Sequence, residues 1–158
     1  MTYQIHPATL TDVPDIQQLN KKLFEHEIAS GFDANIDANW SLSEEGKKEI
    51  SARVSSPESC GFIAKDGDTT IGYLIGRIVE EETGRAESKF AELEHMLIDE
   101  SYRGQGIGEQ LVNNFKAWAK SKGLKLIKVN VSFKNAQAIK FYNKVGLEAL
   151  DVTLVGNL

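Results

Sequence analysis

The stretch Tyr102-Arg103-Gly104-Gln105-Gly106-Ile107-Gly108 decides how this chain is to be read. It follows Ala91 to Ile98, an apolar and acidic run that predicts a strand, and it precedes Glu109 to Lys120, an amphipathic helix with Ile107, Leu111, Phe115 and Trp118 at helical spacing. A glycine-rich turn between strand and helix aims several backbone N–H groups one way. The first helical turn adds N–H groups without internal partners and the positive end of the helix dipole. Such a turn suits an anion, above all a phosphate. Glycine lets the backbone approach the ligand where a Cβ would intrude.

Three glycine patterns occupy such turns. The Walker phosphate loop ends Gly-Lys-Ser/Thr, whereas Gly108 is followed by Glu109-Gln110. The dinucleotide fingerprint needs G-x-G-x-x-G early in a βαβ unit, whereas Gly104, Gly106 and Gly108 are spaced G-x-G-x-G late in the chain. The third pattern, Arg/Gln-x-x-Gly-x-Gly/Ala, is met by Arg103, Gly106 and Gly108.

Upstream, Tyr3 to His6 reads as a short strand, and Thr11-Asp12-Val13-Pro14 opens a helix with Val13, Ile16, Leu19 and Leu23 on one face. Ser30 to Ser41 reads as a loop carrying Phe32, Ile36 and Trp40, and Ser43 to Val54 as a second helix ended by Pro57. Cys60 to Lys65 and Thr69 to Glu80 form a hairpin about Asp66-Gly67-Asp68. Glu81 to Ser88 is a polar loop. Downstream of the glycine turn, Trp118 belongs to the core face of its helix, Leu126 to Val131 is a strand, and Asn135 caps a helix running to Lys144 and stopped by Gly146. Glu148 to Val155 completes the pattern as a last strand. The order β-α-α-β-β-β-α-β-α-β predicts an α/β domain over 1–158: a single mixed, mostly antiparallel sheet flanked by helices.

A second motif lies in that last helix. Asn135-Ala136-Gln137-Ala138-Ile139-Lys140-Phe141-Tyr142-Asn143-Lys144-Val145-Gly146-Leu147 is similar to Asn-x-x-Ala-x-x-Phe/Leu-Tyr-x-Lys-x-Gly-Phe, with Leu147 where Phe is usual. Together with the glycine turn, it resembles the GNAT superfamily of N-acetyltransferases. The resemblance implies that fold, acetyl-CoA as co-substrate and a primary amine as acceptor that attacks the thioester directly, with polyamine, aminoglycoside, amino-acid and protein-lysine amines all open. It implies a pyrophosphate site from Arg103 through Gly104, Gln105, Gly106 and Ile107 to Gly108. It further implies a gap between the fourth and fifth strands, where the backbone of Met96, Leu97 and Ile98 pairs with the pantetheine arm like an added strand. A strand N–H near Leu97 or Ile98 would serve the oxyanion. Asn135 would meet the cofactor as well as cap its helix. Tyr142, two turns along from Asn135, would protonate the departing thiolate.

Glu92 and Glu94 are the candidate bases, since most alkylamines are protonated at neutral pH. Strand alternation places both on one face and His95 on the other. By resemblance, Glu92 aligns with the glutamate of histone-acetylating relatives and Glu94 with the acidic position of polyamine-acetylating ones. A further branch carries its base on the fifth strand, where this chain has Asn130, which argues against ribosomal-protein N-terminal acetylation. The clusters Glu80-Glu81-Glu82, Asp99-Glu100 and Asp33-Asp37 suit a cationic acceptor or, equally, a solvated surface. Phe32, Ile36 and Trp40 fall where the family builds its acceptor wall. A non-catalytic acyl-CoA-binding regulatory module is the alternative reading.

Length, charge and composition bound the rest. A chain of 158 residues suits one domain with a real core. A net charge of −5 argues against general nucleic-acid binding. The single cysteine, Cys60, excludes an internal disulfide and reads as a buried small apolar residue, and no metal site is expected. With no leader and no membrane-length apolar run, a cytoplasmic location is the default expectation. A homodimer is left open.

Overall fold

The computed structural model describes residues 2–81 and 84–158. Strands β1 (Tyr3–Pro7), β2 (Ser59–Asp66), β3 (Thr69–Glu80), β4 (Lys89–Ile98) and β5 (Leu126–Val129) form one sheet in that spatial order. β1 to β4 are antiparallel neighbours, and β5 joins β4 in parallel. Helices α1 (Val13–Ala29) and α2 (Glu44–Ser55) precede β2, α3 (Ile107–Ser121) lies between β4 and β5, and α4 (Ala136–Lys144) follows β5. The predicted mixed, mostly antiparallel sheet flanked by helices is the fold observed.

Two cores hold the helices to opposite faces. Ile107, Leu111, Val112 and Phe115 of α3 pack on Phe62, Leu74 and Leu93. Across the sheet, Val13, Ile16 and Leu19 of α1 and Ile50 of α2 pack on Ile63, Tyr73, Ile75 and Leu97. α3 buries one apolar face, as its periodicity requires. Trp118 lies on the same side, stacked at 5.9 Å on Phe115.

Two expectations change. The segment Glu148 to Val155 forms no strand: Leu150, Val152, Leu154 and Val155 are exposed without regular structure. Its period-two pattern is a strand pattern, but a strand needs a partner for its N–H and C=O groups, and no strand among the described residues is paired with it. The second change concerns His95. Ile75 stands opposite His95 and Gly76 opposite Leu93, so β4 carries an extra residue at Glu94. That β-bulge breaks the alternation. Glu92 and Glu94 still share a face, where both reach Arg77, but His95 joins them there, against Phe24 of α1 and Trp40. Gly76 accommodates the bulge. A Cβ at that position would overlap the Phe115 ring and come within 2.9 Å of the Glu92 carbonyl oxygen.

The entry to α1 is fixed by Asp12, which is only 3% exposed. Its carboxylate accepts from Lys65 Nζ at 2.8 Å, from the Thr9 N–H at 2.9 Å and from Thr9 Oγ1 at 3.0 Å. Burial alone would raise the Asp12 pKa, but the Lys65 and Thr9 bonds outweigh it and hold the group below the usual carboxylate range. A depressed pKa stabilises the fold above the unfolded-state value, and that contribution is lost as pH falls through the folded-state value. Asp12→Asn should therefore cost about 1–3 kcal/mol at neutral pH in urea unfolding, and the gap to the wild type should close in acid.

Candidate functional site

The glycine turn leaves β4, passes a single 3-10 turn at Glu100–Tyr102, and enters α3. Gly104 and Gly106 both take positive φ, +77° and +81°, the left-handed region open to glycine. Space above both is open, with nothing within 4 Å of a Cβ built there. From Gly104 to Glu109 no backbone N–H has a hydrogen-bond partner among the described residues; the next bond is Gln110 N–H to the Gly106 carbonyl at 3.1 Å. A consecutive run of free donors at a helix N-terminus fits a phosphate-bearing ligand. Arg103 turns back instead, its Nε donating to the Ile98 carbonyl at 3.1 Å.

β4 and β5 part where the chemistry is expected. Their pairing runs from Phe90–Leu126 to Leu93–Val129 and stops, while β4 continues to Ile98 against β3 alone. The Asp99 N–H bonds the Ile71 carbonyl at 2.8 Å. Alternation along the antiparallel pair then turns the Leu97 main chain toward β3, and those of Met96 and Ile98 outward to the open edge. Of the three residues expected to face the gap, Met96 and Ile98 present backbone there and Leu97 does not.

α4 borders the same gap. Asn135 caps it, its side chain accepting from the Ala138 N–H at 3.0 Å. Tyr142 packs at the edge of the α3-side core, with its ring 5.2 Å from that of Phe141. Burial, and then the nearby Glu27 carboxylate, push the Tyr142 phenol well above its ordinary pKa. It keeps its proton throughout the neutral range.

On the opposite face the carboxylates are held by cations. Glu94 accepts from Arg53 Nε at 2.6 Å and Arg53 Nη2 at 3.2 Å, and forms an ion pair with Arg77 Nε at 3.0 Å. Glu92, 8% exposed, meets Arg77 Nε at 3.3 Å, Asn130 Nδ2 at 3.2 Å and Lys128 Nζ at 3.5 Å. The Glu94 hydrogen bond raises the Arg53 pKa further. Asn130, noted as the fifth-strand residue where a base is absent, is thus a ligand of Glu92. Beside these, Phe24, Trp40 and His95 form a triangle of rings with centroids 5.6–6.3 Å apart. Burial lowers the His95 pKa, so the ring is neutral at pH 7. Phe32 packs instead on His26. Glu82 of the acidic run lies outside the described residues.

Sequence reasoning missed Arg53, Arg77, Phe24 and Glu27. The arginines carry no motif, and only the register of β3 against β4 and the packing of α2 bring them to the same carboxylates.

A model of the acetyltransferase (GNAT) family matches residues 16–147. The chain belongs to the GNAT family. It is 27% identical over 157 residues to an uncharacterized N-acetyltransferase of Methanocaldococcus jannaschii, covering 96% of this chain and 63% of that one. It is 29% identical over 111 residues to a streptothricin acetyltransferase of Escherichia coli, covering 66% of this chain and 63% of the relative. The chain thus spans less than two thirds of the length of these curated relatives. Among solved structures, a Bacillus halodurans protein, BH1408, superposes with a TM-score of 0.83 at 20% identity over 98% of this chain and 99% of its own. The aminoglycoside acetyltransferase AAC(6')-Iy, solved with a bisubstrate analog, gives 0.80 at 18% identity over 100% and 99%. These two likenesses establish the fold.

Within this GNAT fold no group of His, Cys, Asp or Glu side chains among the described residues is arranged to hold a metal ion. No described helix is long and apolar enough to cross a membrane. Cys60 is buried in the α3-side core, and burial pushes its thiol up to about 12. It should react with a thiol reagent at pH 8 more than about a hundredfold slower in the native protein than in denaturant.

Proposed function

We propose that this chain is an N-acetyltransferase that transfers an acetyl group from acetyl-CoA to a primary amine. The observation that carries the reading is the run of free N–H groups from Gly104 to Glu109 beside the open edge of β4. Arg103 to Gly108 would hold the pyrophosphate, the outward main chains of Met96 and Ile98 would bind the amide-bearing arm, and Asn135 would meet it from α4. Leu97 would contribute its side chain alone. When bound, acetyl-CoA supplies an activated acyl thioester.

The chain's own residues then have defined tasks. The Met96 or Ile98 N–H at the open edge can stabilise developing charge on the acyl oxygen. Tyr142 holds its phenolic proton, donates it to the departing sulfur and is reprotonated by one proton from the attacking amine, whose other proton passes to water. Glu92 and Glu94, expected as bases, have oxygens engaged by Arg53, Arg77, Lys128 and Asn130. Either would accept a proton only by weakening a charge-assisted bond, so the pair acts as fixed charge that orders the wall of the cleft. The relatives' names, a streptothricin acetyltransferase and an aminoglycoside acetyltransferase, support a small cationic amine as the acceptor class.

Mass spectrometry of an amine library incubated with the protein and acetyl-CoA should show singly acetylated product; binding of coenzyme A with no product from any amine selects the regulatory-module alternative. Tyr142→Phe should lower kcat by about 10²-fold with coenzyme A affinity unchanged. Gly106→Asp places a side chain and a negative charge at a left-handed position in the cradle, and should abolish most of the thermal stabilisation by coenzyme A. Wild-type coenzyme A affinity in that variant, if folded, would remove the loop from the site.

A further inference from the structure

The path of α1 brings one more acidic residue to the cleft. Asp15 bonds Thr70 of β3 at 2.6 Å, Asn20 bonds the Tyr73 hydroxyl of β3 at 2.9 Å, and Phe24 packs on His95 of β4. Just past the helix, the Phe32 carbonyl accepts from Ser132 Oγ at 3.2 Å and the Gly31 carbonyl from Lys134 Nζ at 3.2 Å, both in the segment between β5 and α4. The C-terminal half of α1 therefore runs from above β4 toward the segment that follows β5, beside the opening where the two strands part. Asn20, Phe24 and Glu27 lie on one stripe of this helix, facing the sheet. Glu27 is the last acidic residue on that stripe.

Glu27 differs from the other carboxylates of the cleft. Glu92 and Glu94 are saturated by cations. The half-buried Glu27 side chain has no hydrogen-bond donor or cation against it among the described residues. Burial, and then Asp33, raise its pKa, and its charge in turn is felt by Tyr142 and Tyr73. A carboxylate left without a partner in a partly dry cleft is unfavourable unless a ligand supplies the cation. One turn before it stand Phe24, Trp40 and His95, whose rings can flank the hydrocarbon next to an ammonium group and attract the charge itself.

We propose that Glu27 is the carboxylate that receives the ammonium group of the acceptor, and that the acceptor is a small organic cation with an apolar arm lying against Phe24 and Trp40. The inference rests on the acetyl-transfer reading for the word acceptor, but the binding site itself does not require turnover. Amino acids are disfavoured, because their own carboxylate would meet Glu27 and Asp33. Tyr142 lies within electrostatic reach of Glu27, which ties the anchored end of the acceptor to the group that serves the leaving sulfur.

The test uses the full chain saturated with coenzyme A. Calorimetric titration with a series of linear diamines, and with an amino acid of similar length, should show binding of the diamines alone. Glu27→Gln should weaken diamine binding roughly ten- to hundredfold, leave coenzyme A affinity unchanged and raise KM for the diamine more than it lowers kcat. Glu25→Gln, on the exposed side of the same helix, should change neither, and Glu27→Asp should restore part of the affinity. Wild-type diamine affinity in Glu27→Gln overturns the proposal, as does failure of the wild type to bind any diamine. Diamine binding that depends on Glu27 without acetyl transfer keeps the cation site and sinks the acetyltransferase reading instead.

Discussion

The bulge at Glu94 is the constraint on which the candidate site depends. In an unbroken strand, Glu92, Glu94 and Met96 would face one side, and Leu93, His95 and Leu97 the other. The extra residue shifts that parity. Glu92, Glu94, His95 and Leu97 all come to the α1–α2 face, while Leu93, Met96 and Ile98 pack on the α3 side. Pairing with β5 ends one residue before the bulge. One local irregularity thus opens the sheet edge and assembles the polar wall beside it. Its cost is met by Gly76 opposite, where the Phe115 ring fills the space a side chain would need.

The acidic residues of the cleft divide by their partners. A buried carboxylate is costly unless it is paired and hydrogen-bonded. Glu92 meets this requirement with Arg77, Lys128 and Asn130, and Glu94 with Arg53 and Arg77. Four elements, α2, β3, β4 and β5, are tied by that network. Removing either glutamate would take one carboxylate partner from Arg77, and removing Glu94 would leave Arg53 with Glu49 alone, so loss of rate in such variants would mix electrostatic and structural causes. Glu27 carries no such obligation to the fold, and this is why a substitution there separates binding from stability.

Much of this was legible in the sequence. The two motifs lie where the glycine turn and the Asn135 cap predicted them, and the strand from Thr69 to Glu80 has the observed limits. The elements were readable because their signals are local: periodicity, caps and glycines. The bulge was not, because Ala91 to Ile98 alternates acceptably with or without an extra residue, and only the register against β3 decides. The strand expected over Glu148 to Val155 failed for the converse reason, since a correct local pattern does not supply a neighbour. Glu27 escaped notice because the apolar stripe of α1 was followed only to Leu23. One turn further, the same stripe carries a charge, and its meaning comes from the β5–α4 segment far along the chain.

The two motifs are also mechanically one unit. α4 has no fully buried residue of its own, so little in its own sequence holds it in place. It is pinned to α3 instead: Lys144 pairs with Glu109, and Lys116 donates to the Val145 carbonyl. Between these ties the Phe141 ring lies over Gly108, where an added Cβ would come within 3.2 Å of the ring. The last glycine of the turn is therefore needed for contact with α4 as much as for any ligand. Phe141 in turn sets the position of Tyr142, with which it packs edge to face. The residue proposed to serve the sulfur is thus located by the same loop proposed to hold the phosphates. The distance between the proposed phosphate cradle and the proposed proton donor is fixed by side-chain packing rather than by a flexible connection.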